Sequence, residues 1–255
     1  MMNQNPFLSI VIPAHNEEEN ISVTCRTIQQ TFKKNNIEDY EILVINDGSS
    51  DRTESVLKEL SERSSKVWYK NNIYPKGFGS AIRYGLDLFR GEAICLVMAD
   101  GSDLPEDILS YYHLLKDGYD CAFGCRFIGS SAVHDYPKPK LFLNRIANLL
   151  IQWMFGIDHN DITNAFKAYR RKVIESSRPV LSNHFEITIE LPLKAIIYGF
   201  KYAKIPISWT NRAKGITKFK IKEMGSRYLF MTGLLLREKW TNRFQEIPQR
   251  VVNES

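Results

Sequence analysis

The sequence predicts an α/β protein built on a doubly wound, mostly parallel sheet with helices on both faces. In the N-terminal half, short β-branched runs typical of buried strands alternate with segments of helical periodicity. Acidic or Asn/Asp-rich loops follow three of these strands. Strands that alternate with helices favour a parallel sheet covered on both sides, and such sheets bind ligands beyond the carboxyl ends of their strands.

Four runs of the N-terminal half are predicted as strands: Leu8–Ile12, Tyr40–Ile45, Lys66–Lys70 and Ala93–Met98. We expect Pro13 to stop the first strand, and the acidic residues Glu17–Glu19 to begin a helix that runs to about Lys34. After the second strand, Ser50 or Asp51 can cap the next helix. A Gly-rich turn in PKGFGSAIRYGLDLF opens a further helix before the fourth strand.

The second half of the chain has a different character. Two further strands and two helices are predicted: Tyr119–Phe127, Lys201–Trp209, Lys140–Gly156 and Glu186–Gly199. We expect Trp153 and Phe155, in the first of these helices, to be core residues. The apolar stretch Tyr228–Leu236 is too short to span a bilayer, and a core position, a dimer contact and an interfacial membrane contact all stay open for it.

The composition is that of an ordinary globular protein. The chain has 255 residues, of which 44% are hydrophobic and 25% charged, enough for one large domain. Its four cysteines form no CxxC pair, and we expect them to be buried thiols in a reducing compartment. Its five histidines lack metal-ligand spacing. Without a signal peptide or a run of about 20 apolar residues, we expect a cytoplasmic protein, soluble or peripheral on a membrane. The net charge of +5 suits anionic ligands or a membrane surface, and we expect no nucleic-acid partner.

The strand-end loops PAHNEEEN, NDGSSDRT and ADGSDLPED carry none of the common phosphate-binding motifs. No GxxxxGK[ST] is present, and the glycines Gly77, Gly79 and Gly85 do not fit GxGxxG, so ATPases and dinucleotide enzymes are disfavoured. The remaining pattern is carboxylates at strand ends with basic residues further along. Arg and Lys would bind phosphate oxygens, while one carboxylate could hold a divalent cation that bridges a diphosphate.

Seven segments resemble glycosyltransferase family two in their order, and within it the dolichyl- or polyprenyl-phosphate sugar transferases: SIVIPAHNEEENI, VINDGSSDRT, KGFGSAIRYGL, ADGSD, FGCRF, NDITNAFKAYRR and ISWTNRAKGITKFK. The resemblance covers roughly residues 7–225. It implies a GT-A type fold and an inverting transfer from a nucleotide sugar. It also implies a nucleotide-sugar-binding half (1–120), an acceptor-binding half of the same domain (121–225) and a C-terminal apolar, basic and polar segment (226–255).

The resemblance places the nucleoside against the first two loops. It implies that Pro13, Ala14 and Glu17 lie along the nucleoside and that Asp47 contacts the base. The family commonly has a second Asp beside that position. Here Asn46 replaces it, which keeps a hydrogen-bonding side chain.

The metal loop of the family reads Asp-x-Asp, and this chain departs from it. The three positions are Met98, Ala99 and Asp100. A thioether is a poor ligand for Mg²⁺ or Mn²⁺, but Asp100 remains and Asp103 follows three residues later. The resemblance thus implies a divalent cation, Mg²⁺ or Mn²⁺, held by Asp100 and Asp103, and a cation-independent variant stays open.

The phosphate-binding positions of the family are basic in this chain. Arg126 in FGCRF and Arg212 in NRAKG match positions that meet the diphosphate, and Lys218 occupies the basic position that follows. Arg145 matches a basic residue near the acceptor phosphate, and the role of Asp161 is left undetermined.

The implied reaction is attack of an acceptor oxygen on the anomeric carbon, which expels a nucleoside diphosphate. A sugar hydroxyl acceptor would need a general base, and the sequence singles out neither Asp103 nor Glu190 for that task. A lipid phosphate is already largely dianionic at neutral pH because its second pKa is about 6, so this acceptor is favoured. A saccharide acceptor and a non-catalytic nucleotide-sugar-binding protein stay open, the latter because of Met98. We expect peripheral membrane contact through the basic, apolar C-terminal region, and a homodimer stays open.

Overall fold

The computed structural model describes residues 5–129, 131, 133–134, 137–210 and 221–243. The strands are β1 Leu8–Ala14, β2 Tyr40–Asn46, β3 Val67–Asn71, β4 Ala93–Leu96, β5 Cys121–Cys125, β6 Val133–His134, β7 Lys167–Arg170, β8 Tyr202–Pro206 and β9 Trp209–Thr210. The helices are α1 Ile21–Lys34, α2 Thr53–Arg63, α3 Phe78–Leu88, α4 Pro105–Lys116, α5 Lys138–Phe155, α6 Arg171–Ser176, α7 Ile187–Ile197 and α8 Ile221–Arg243.

Seven strands form one twisted sheet in the order β3-β2-β1-β4-β7-β5-β8. The pairings within β3-β2-β1-β4 are parallel, β7 is antiparallel to both of its neighbours, and β5 is parallel to β8. The short strands β6 and β9 pair separately. The prediction of a doubly wound, mostly parallel sheet is confirmed, although the sequence reading did not include the inverted strand β7.

The two faces of the sheet carry separate hydrophobic cores. Alternate residues of β1 point to opposite sides, so Ile10 and Ile12 join the core under α1, α2 and α4. Val11 joins the core under α3, α6 and α7. In β2, Val44 joins the first of these cores and Leu43 the second. Because both faces are covered, these strands read in the sequence as unbroken apolar runs.

One edge of the sheet collects the loops that carry the charged residues. Because β7 is antiparallel to both β4 and β5, β5 and β8 run in the same direction as β4. The carboxyl ends of β1, β2, β3, β4, β5 and β8 therefore lie at the same edge. The chain also enters β7 at this edge, so residues 158–166 join the same group of loops.

β1 continues through Pro13 to Ala14, which corrects the prediction that Pro13 ends the strand. The carbonyl of Val11 accepts a hydrogen bond from the N–H of Val97 on the β4 side (3.1 Å), and the carbonyl of Ala14 accepts one from Asp47 on the β2 side (2.8 Å). Residues of a strand face its two neighbours alternately, so Pro13 faces the β4 side, where pairing has already ended. Since no partner strand lies there, the missing N–H of proline breaks no ladder bond.

The acidic cluster Glu17–Glu19 precedes α1 and does not form its first turn, which is a second correction. The helix begins at Ile21, and its first turn holds no acidic residue. Asn16 has a positive φ of 55°, which bends the chain away from β1. The capping prediction for the next helix is wrong, because the N-cap residue of α2 is Arg52 and it makes no side-chain capping bond. Asp51 precedes the N-cap, and its Oδ1 accepts a hydrogen bond from the N–H of Thr53 (3.0 Å).

Helix α5 buries only part of the apolar surface that the sequence assigns to the core. Phe155 is buried as predicted, but Trp153 is 81% exposed, so its prediction as a core residue is wrong. Asn148 is completely buried on the inner side of the helix. Its amide donates to Oγ1 of Thr163 (2.9 Å) and its side-chain oxygen accepts from the N–H of that residue (3.1 Å).

The apolar stretch Tyr228–Leu236 lies within α8. Met231 and Leu235 are buried in a third hydrophobic cluster that includes residues of α5 and α7, so the core interpretation holds for them. Leu229 and Phe230 are exposed. Within the described ranges, no helix is both long enough and apolar enough to cross a membrane.

Candidate active site

The loops after β1 and β2 are joined by hydrogen bonds. The N–H of Asn16 donates to Oγ of Ser49 (3.0 Å), and Oδ1 of Asn16 accepts from the N–H of Ser50 (2.8 Å). The N–H of Glu17 donates to Oγ1 of Thr53 (2.8 Å). These bonds hold both predicted nucleoside loops as one rigid wall at the sheet edge.

Glu17 and Asp47 are two of the predicted nucleoside contacts, and both take part in this wall. Oε2 of Glu17 accepts a hydrogen bond from Asn20 (2.8 Å) just before α1. The buried carboxylate of Asp47 accepts from the side chain of Asn72 (2.8 Å) and from the N–H of Gly77 (2.9 Å). Asp47 thereby ties the loop after β3 to the loop after β2.

The glycines at the start of α3 permit a close approach of backbone from another part of the chain. A Cβ on Gly77 would lie 2.3 Å from the carbonyl oxygen of Asn183, and one on Gly79 would lie 2.5 Å from that of His184. The N–H of Ser80 donates to the carbonyl of Asn183 (3.0 Å). Residues 183–184 therefore pack directly against the start of α3, and bulkier residues at these glycines would displace them.

The loop after β4 contains the predicted metal ligands. Oδ1 of Asp100 accepts a hydrogen bond from the N–H of Ser102 (3.1 Å), and the carboxylate itself is half-buried. Oδ2 of Asp103 accepts one from the N–H of Met98 (2.8 Å). The hydroxyl of Thr24 on α1 donates to the carbonyl of Ala99 (2.9 Å), which fixes the loop to the first helix.

Asp103 lies behind the loop and is more deeply buried than Asp100. The pKa of the Asp103 carboxyl is raised to about 7, chiefly by burial. Asp100 and Asp107 also act to raise this pKa, while the Met98 N–H and Arg126 act to lower it. The carboxylate of Asp103 is hydrogen-bonded to the backbone of its own loop. Of the two predicted ligands, Asp100 is the one that is partly exposed at the strand end.

Arg126, at the carboxyl end of β5, forms a buried ion pair with Asp161. Its Nη2 donates to Oδ1 of Asp161 (2.7 Å), and its Nε and backbone N–H both donate to Oδ2 (2.9 Å each). Three donors on one carboxylate fix the plane of the guanidinium. Asp161, whose role the sequence left undetermined, is therefore the residue that positions Arg126.

Arg145 of α5 lies next to this pair. Its Nη1 donates to the carbonyl of Asn160 (2.9 Å), and its guanidinium stacks over the ring of Phe127 at 4.4 Å. Arg126 approaches the same ring at 5.5 Å. The two predicted phosphate-binding arginines thus meet at one aromatic ring. We call Arg126, Phe127, Arg145 and Asp161 the arginine cluster.

A buried lysine, Lys167, interacts electrostatically with Asp161 and Arg126 of the arginine cluster. Nζ of Lys167 donates to the carbonyls of Ile162 (2.9 Å) and Asn164. The pKa of Lys167 is lowered to about 7, chiefly by burial, with Asp161 acting to raise this pKa and Arg126 to lower it. The sequence does not single out Lys167, since the four residues of β7, KAYR, carry charges at both ends and give no local signal of its burial.

Both residues that the sequence left open as general bases are engaged within the protein. Glu190 is completely buried and accepts hydrogen bonds from the N–H groups of Leu181 (2.9 Å) and Ser182 (2.8 Å) and from Nζ of Lys194 (2.9 Å). It anchors the loop before α7. Asp103 is similarly buried, as described above.

The predicted phosphate contacts Arg212 and Lys218 lie outside the residues that the structure describes. The other predicted residues form two groups at one sheet edge. The nucleoside group is Pro13, Ala14, Glu17 and Asp47. The second group consists of Asp100 and Asp103 in the β4 loop and Arg126 and Arg145 in the arginine cluster. Its two parts are linked by the electrostatic effect of Arg126 on Asp103.

Comparison with known proteins identifies the family. The sequence pattern of glycosyl transferase family 2 matches residues 9–178, which is two thirds of the chain. The chain belongs to glycosyl transferase family 2. It is a glycosyltransferase, as the sequence predicted.

Two relatives confirm the predicted resemblance to polyprenyl-phosphate sugar transferases. The polyprenol monophosphomannose synthase of Mycolicibacterium smegmatis is 31% identical over 234 residues, which cover 86% of each chain. The dolichol-phosphate mannosyltransferase of Pyrococcus furiosus is 28% identical over 252 residues, which cover 94% of this chain and 66% of that protein.

The fold also matches solved structures of glycosyltransferases. The glucosyl-3-phosphoglycerate synthase of Mycobacterium tuberculosis, crystallised with Mn²⁺, UDP-glucose and phosphoglyceric acid, superposes with a TM-score of 0.67 at 15% identity. The match covers 91% of this chain and 80% of that chain. At this identity the likeness establishes the fold, and the predicted GT-A type is confirmed.

Proposed function

We propose that this glycosyltransferase moves a sugar from a nucleoside-diphosphate sugar to a lipid phosphate of the polyprenyl or dolichyl class, with inversion at the anomeric carbon. The observation that carries the proposal is the arginine cluster at the same sheet edge as the nucleoside loops. The named activities of the two relatives support the same acceptor class.

The acceptor phosphate needs charge partners and not a general base. In the proposed step a phosphate oxygen of the acceptor attacks the anomeric carbon, and the bond between that carbon and the diphosphate oxygen breaks. A phosphate monoester is largely dianionic at neutral pH, so no proton has to be removed. The engagement of Glu190 within the loop before α7 agrees with this acceptor, since a saccharide hydroxyl would require a free carboxylate base.

We assign the nucleoside to the wall formed by the loops after β1 and β2, with Pro13, Ala14 and Glu17 along it and Asp47 shaping its floor. Arg126 is assigned to the diphosphate and Arg145 to the acceptor phosphate. Fixed guanidinium groups stabilise charge that develops on a departing diphosphate because they need no reorganisation during the step. The further assignments of Arg212 and Lys218 to the diphosphate rest on the family resemblance.

The β4 loop fits a divalent cation in company with substrate oxygens. The described part of the chain holds no group of three or more His, Cys, Asp or Glu side chains arranged to bind a metal. Mg²⁺ commonly uses one or two carboxylates together with substrate phosphates, and Asp100 offers such a carboxylate. We assign Asp100 as the ligand of Mg²⁺ or Mn²⁺ and Asp103 as the support of its loop. A bound cation would neutralise part of the diphosphate charge.

We further propose that the enzyme works at a membrane surface, where its lipid acceptor resides, on the cytoplasmic side. A homodimer is compatible with the exposed apolar residues Leu229 and Phe230 of α8. The protein half that binds the donor would end near residue 120, and the acceptor half would contain the arginine cluster.

Nucleotide binding and transfer test the proposal separately. GDP or UDP should raise the Tm of the purified protein, and Mn²⁺ or Mg²⁺ should increase the effect. With the matching labelled nucleotide sugar, the protein should transfer sugar to a polyprenyl phosphate, and Asp100→Ala should abolish transfer. The exposed carboxylate of Asp117 ends α4, and Asp117→Ala is the matched control.

The proposal fails if no nucleotide changes the Tm with or without a cation. Efficient transfer to a saccharide hydroxyl, with none to polyprenyl phosphate, would retain the enzyme but overturn the acceptor. Unchanged transfer by Asp100→Ala in the presence of EDTA would remove the cation from the scheme.

A further inference from the structure

Helix α5 is apolar on its outer side as well as on part of its inner side, where Ile151 and Phe155 are buried. Its inner side carries Asn144 and Asn148, which bond to each other and to Thr163 in the loop that leads to β7. Its outer side is apolar. A surface helix normally turns its polar stripe to water, so this arrangement needs an apolar neighbour on the outside.

The outermost positions form a continuous stripe along the helix. Phe142, Ile146, Leu149 and Trp153 recur at intervals of four, three and four residues, which places them on one line of an α-helix. Their exposed fractions are 66%, 38%, 52% and 81%. Leu143, Leu150 and Met154 flank the stripe and are also exposed. We call these seven residues the α5 face.

We infer that the α5 face docks onto the surface of a phospholipid bilayer, with the helix lying in the plane between headgroups and acyl chains. This inference rests on the proposed function, because it names the partner that brings the lipid acceptor to the site. From the sequence, the membrane contact is expected in the C-terminal region, but Met231 and Leu235 of the apolar stretch there are buried. The inference places the contact on α5, a helix whose Trp153 and Phe155 are expected from the sequence to be core residues.

Continuity with the arginine cluster selects a bilayer as the occupant. Arg145 lies on α5 one residue before Ile146 of the stripe, and its guanidinium stacks on Phe127 beside Arg126. A lipid phosphate held by these arginines would have its apolar chain leave along the same helix. The bilayer that contains such chains is then the natural surface for the exposed stripe.

The chemistry of the stripe fits the interfacial region of a membrane. Trp and Phe, with rings at the level of the headgroups, are enriched at this boundary. Lys138 is exposed at the N-terminus of α5 and can approach anionic headgroups. An interfacial helix of this kind buries its apolar side to about 5–10 Å and spans nothing.

Co-sedimentation with vesicles of phosphatidylcholine and phosphatidylglycerol tests the inference. The whole protein should bind them, and a triple variant with Phe142→Gln, Leu149→Gln and Trp153→Gln should bind at least about tenfold more weakly. The matched control places apolar residues at the same positions, with Phe142→Leu, Leu149→Met and Trp153→Leu, and should remain within about threefold of the wild type. Circular dichroism and Tm establish that each variant is folded.

Three results would overturn the inference. The first is wild-type protein that does not bind the vesicles. The second is a glutamine variant that is folded and binds as well as the wild type. The third is a wild-type dimer in solution that the glutamine substitutions convert to monomer without vesicle binding, since a second copy would then cover the α5 face. Transfer by the wild type to a short, water-soluble prenyl phosphate needs no bilayer, so it reports the proposed function independently of docking.

Discussion

Replacing Asp161 with Asn would remove the carboxylate that receives three hydrogen bonds from buried Arg126. The side chains of both residues are almost inaccessible to solvent, with 8% of Arg126 and none of Asp161 exposed. Asp161 receives three donors, the Nη2, Nε and backbone N–H of Arg126. Asp161→Asn keeps one oxygen acceptor but removes the charge and adds two donors that face the guanidinium.

Removing one partner of a buried ion pair typically costs 3–5 kcal/mol, and because the amide keeps one acceptor we expect about 3 kcal/mol here. For a chain of this size, 1 kcal/mol corresponds to about 2–4 °C in Tm, so Asp161→Asn should lower the Tm by about 6–12 °C. Asp87→Asn is the matched control, because its ion pair with Arg178 has the same 2.7 Å separation but is substantially exposed. We expect that control to lose about 1 kcal/mol or less.

A double variant separates the structural role of the pair from its role in transfer. With Arg126→Met added to Asp161→Asn, the buried guanidinium is removed together with the carboxylate, and the Asn can still accept from the backbone N–H at residue 126. We expect the double variant to regain more than half of the lost stability, while sugar transfer is abolished because Arg126 is the residue assigned to the diphosphate. Urea denaturation followed by circular dichroism, with transfer assays on the same samples, measures both. A loss below about 1 kcal/mol for Asp161→Asn, or no recovery in the double variant, would refute the reasoning.

Three further predictions concern stability. Burial lowers the pKa of His159 to about 3 in the folded protein, so between pH 6.5 and pH 3 only the unfolded chain gains the proton and stability falls as the pH falls. His159→Phe should therefore gain about 2 kcal/mol over the wild type on going from pH 7.5 to pH 5, and parallel stability curves in urea would contradict this. Gly79→Ala should cost about 1–3 kcal/mol because its Cβ would overlap facing backbone, whereas Gly225→Ala, in open space within α8, should be neutral or slightly stabilising by Tm. Leu235→Ala, at a fully buried position, should cost about 2–5 kcal/mol, and exposed Leu229→Ala about 0.5 kcal/mol or less; equal losses would mean that α8 does not pack as described.

The N-terminal half of the fold could be predicted because its local signals agree with its tertiary structure. β1 and β2 are covered on both faces, so their sequences are unambiguous apolar runs. The end of β1 was missed because the effect of Pro13 depends on which neighbour its missing N–H faces. The identity of that neighbour follows from the strand order of the whole sheet, which local sequence does not contain.

The inverted strand β7 could not be predicted for a related reason. Lys167–Arg170 has only four residues and carries charges at both ends, so its sequence shows no strand periodicity and resembles that of a loop. Lys167 is nevertheless buried, because carbonyls of the loop before β7 surround its ammonium group. A buried lysine is recognisable only when those carbonyls are in place.

The sequence indicates which residue types form the site, but only partly which of them contact one another. The family resemblance implies that Arg126 lies near phosphate, but it gives no role to Asp161. The two residues are 35 positions apart, and their contact depends on the antiparallel entry of β7. Similarly, the partners of Asp47 come from the loop after β3, which the sequence reading treated as a turn. The chemical type of each site residue can be recognised in the sequence, whereas its hydrogen-bond and ion-pair partners depend on the order and direction of the strands.

The departure of the β4 loop from the family pattern is easier to understand from the backbone than from the side chains. The carboxylate of Asp103 bonds to the N–H of Met98, and Thr24 holds the carbonyl of Ala99, so neither contact uses the side chain at position 98. A thioether can therefore replace a carboxylate there without changing the course of the loop or the place of Asp100. The substitution removes one potential charge next to the diphosphate while the loop stays intact. In the proposed mechanism this leaves Asp100 as the assigned cation ligand of the loop, and it increases the share of phosphate binding that falls to fixed guanidinium groups such as that of Arg126.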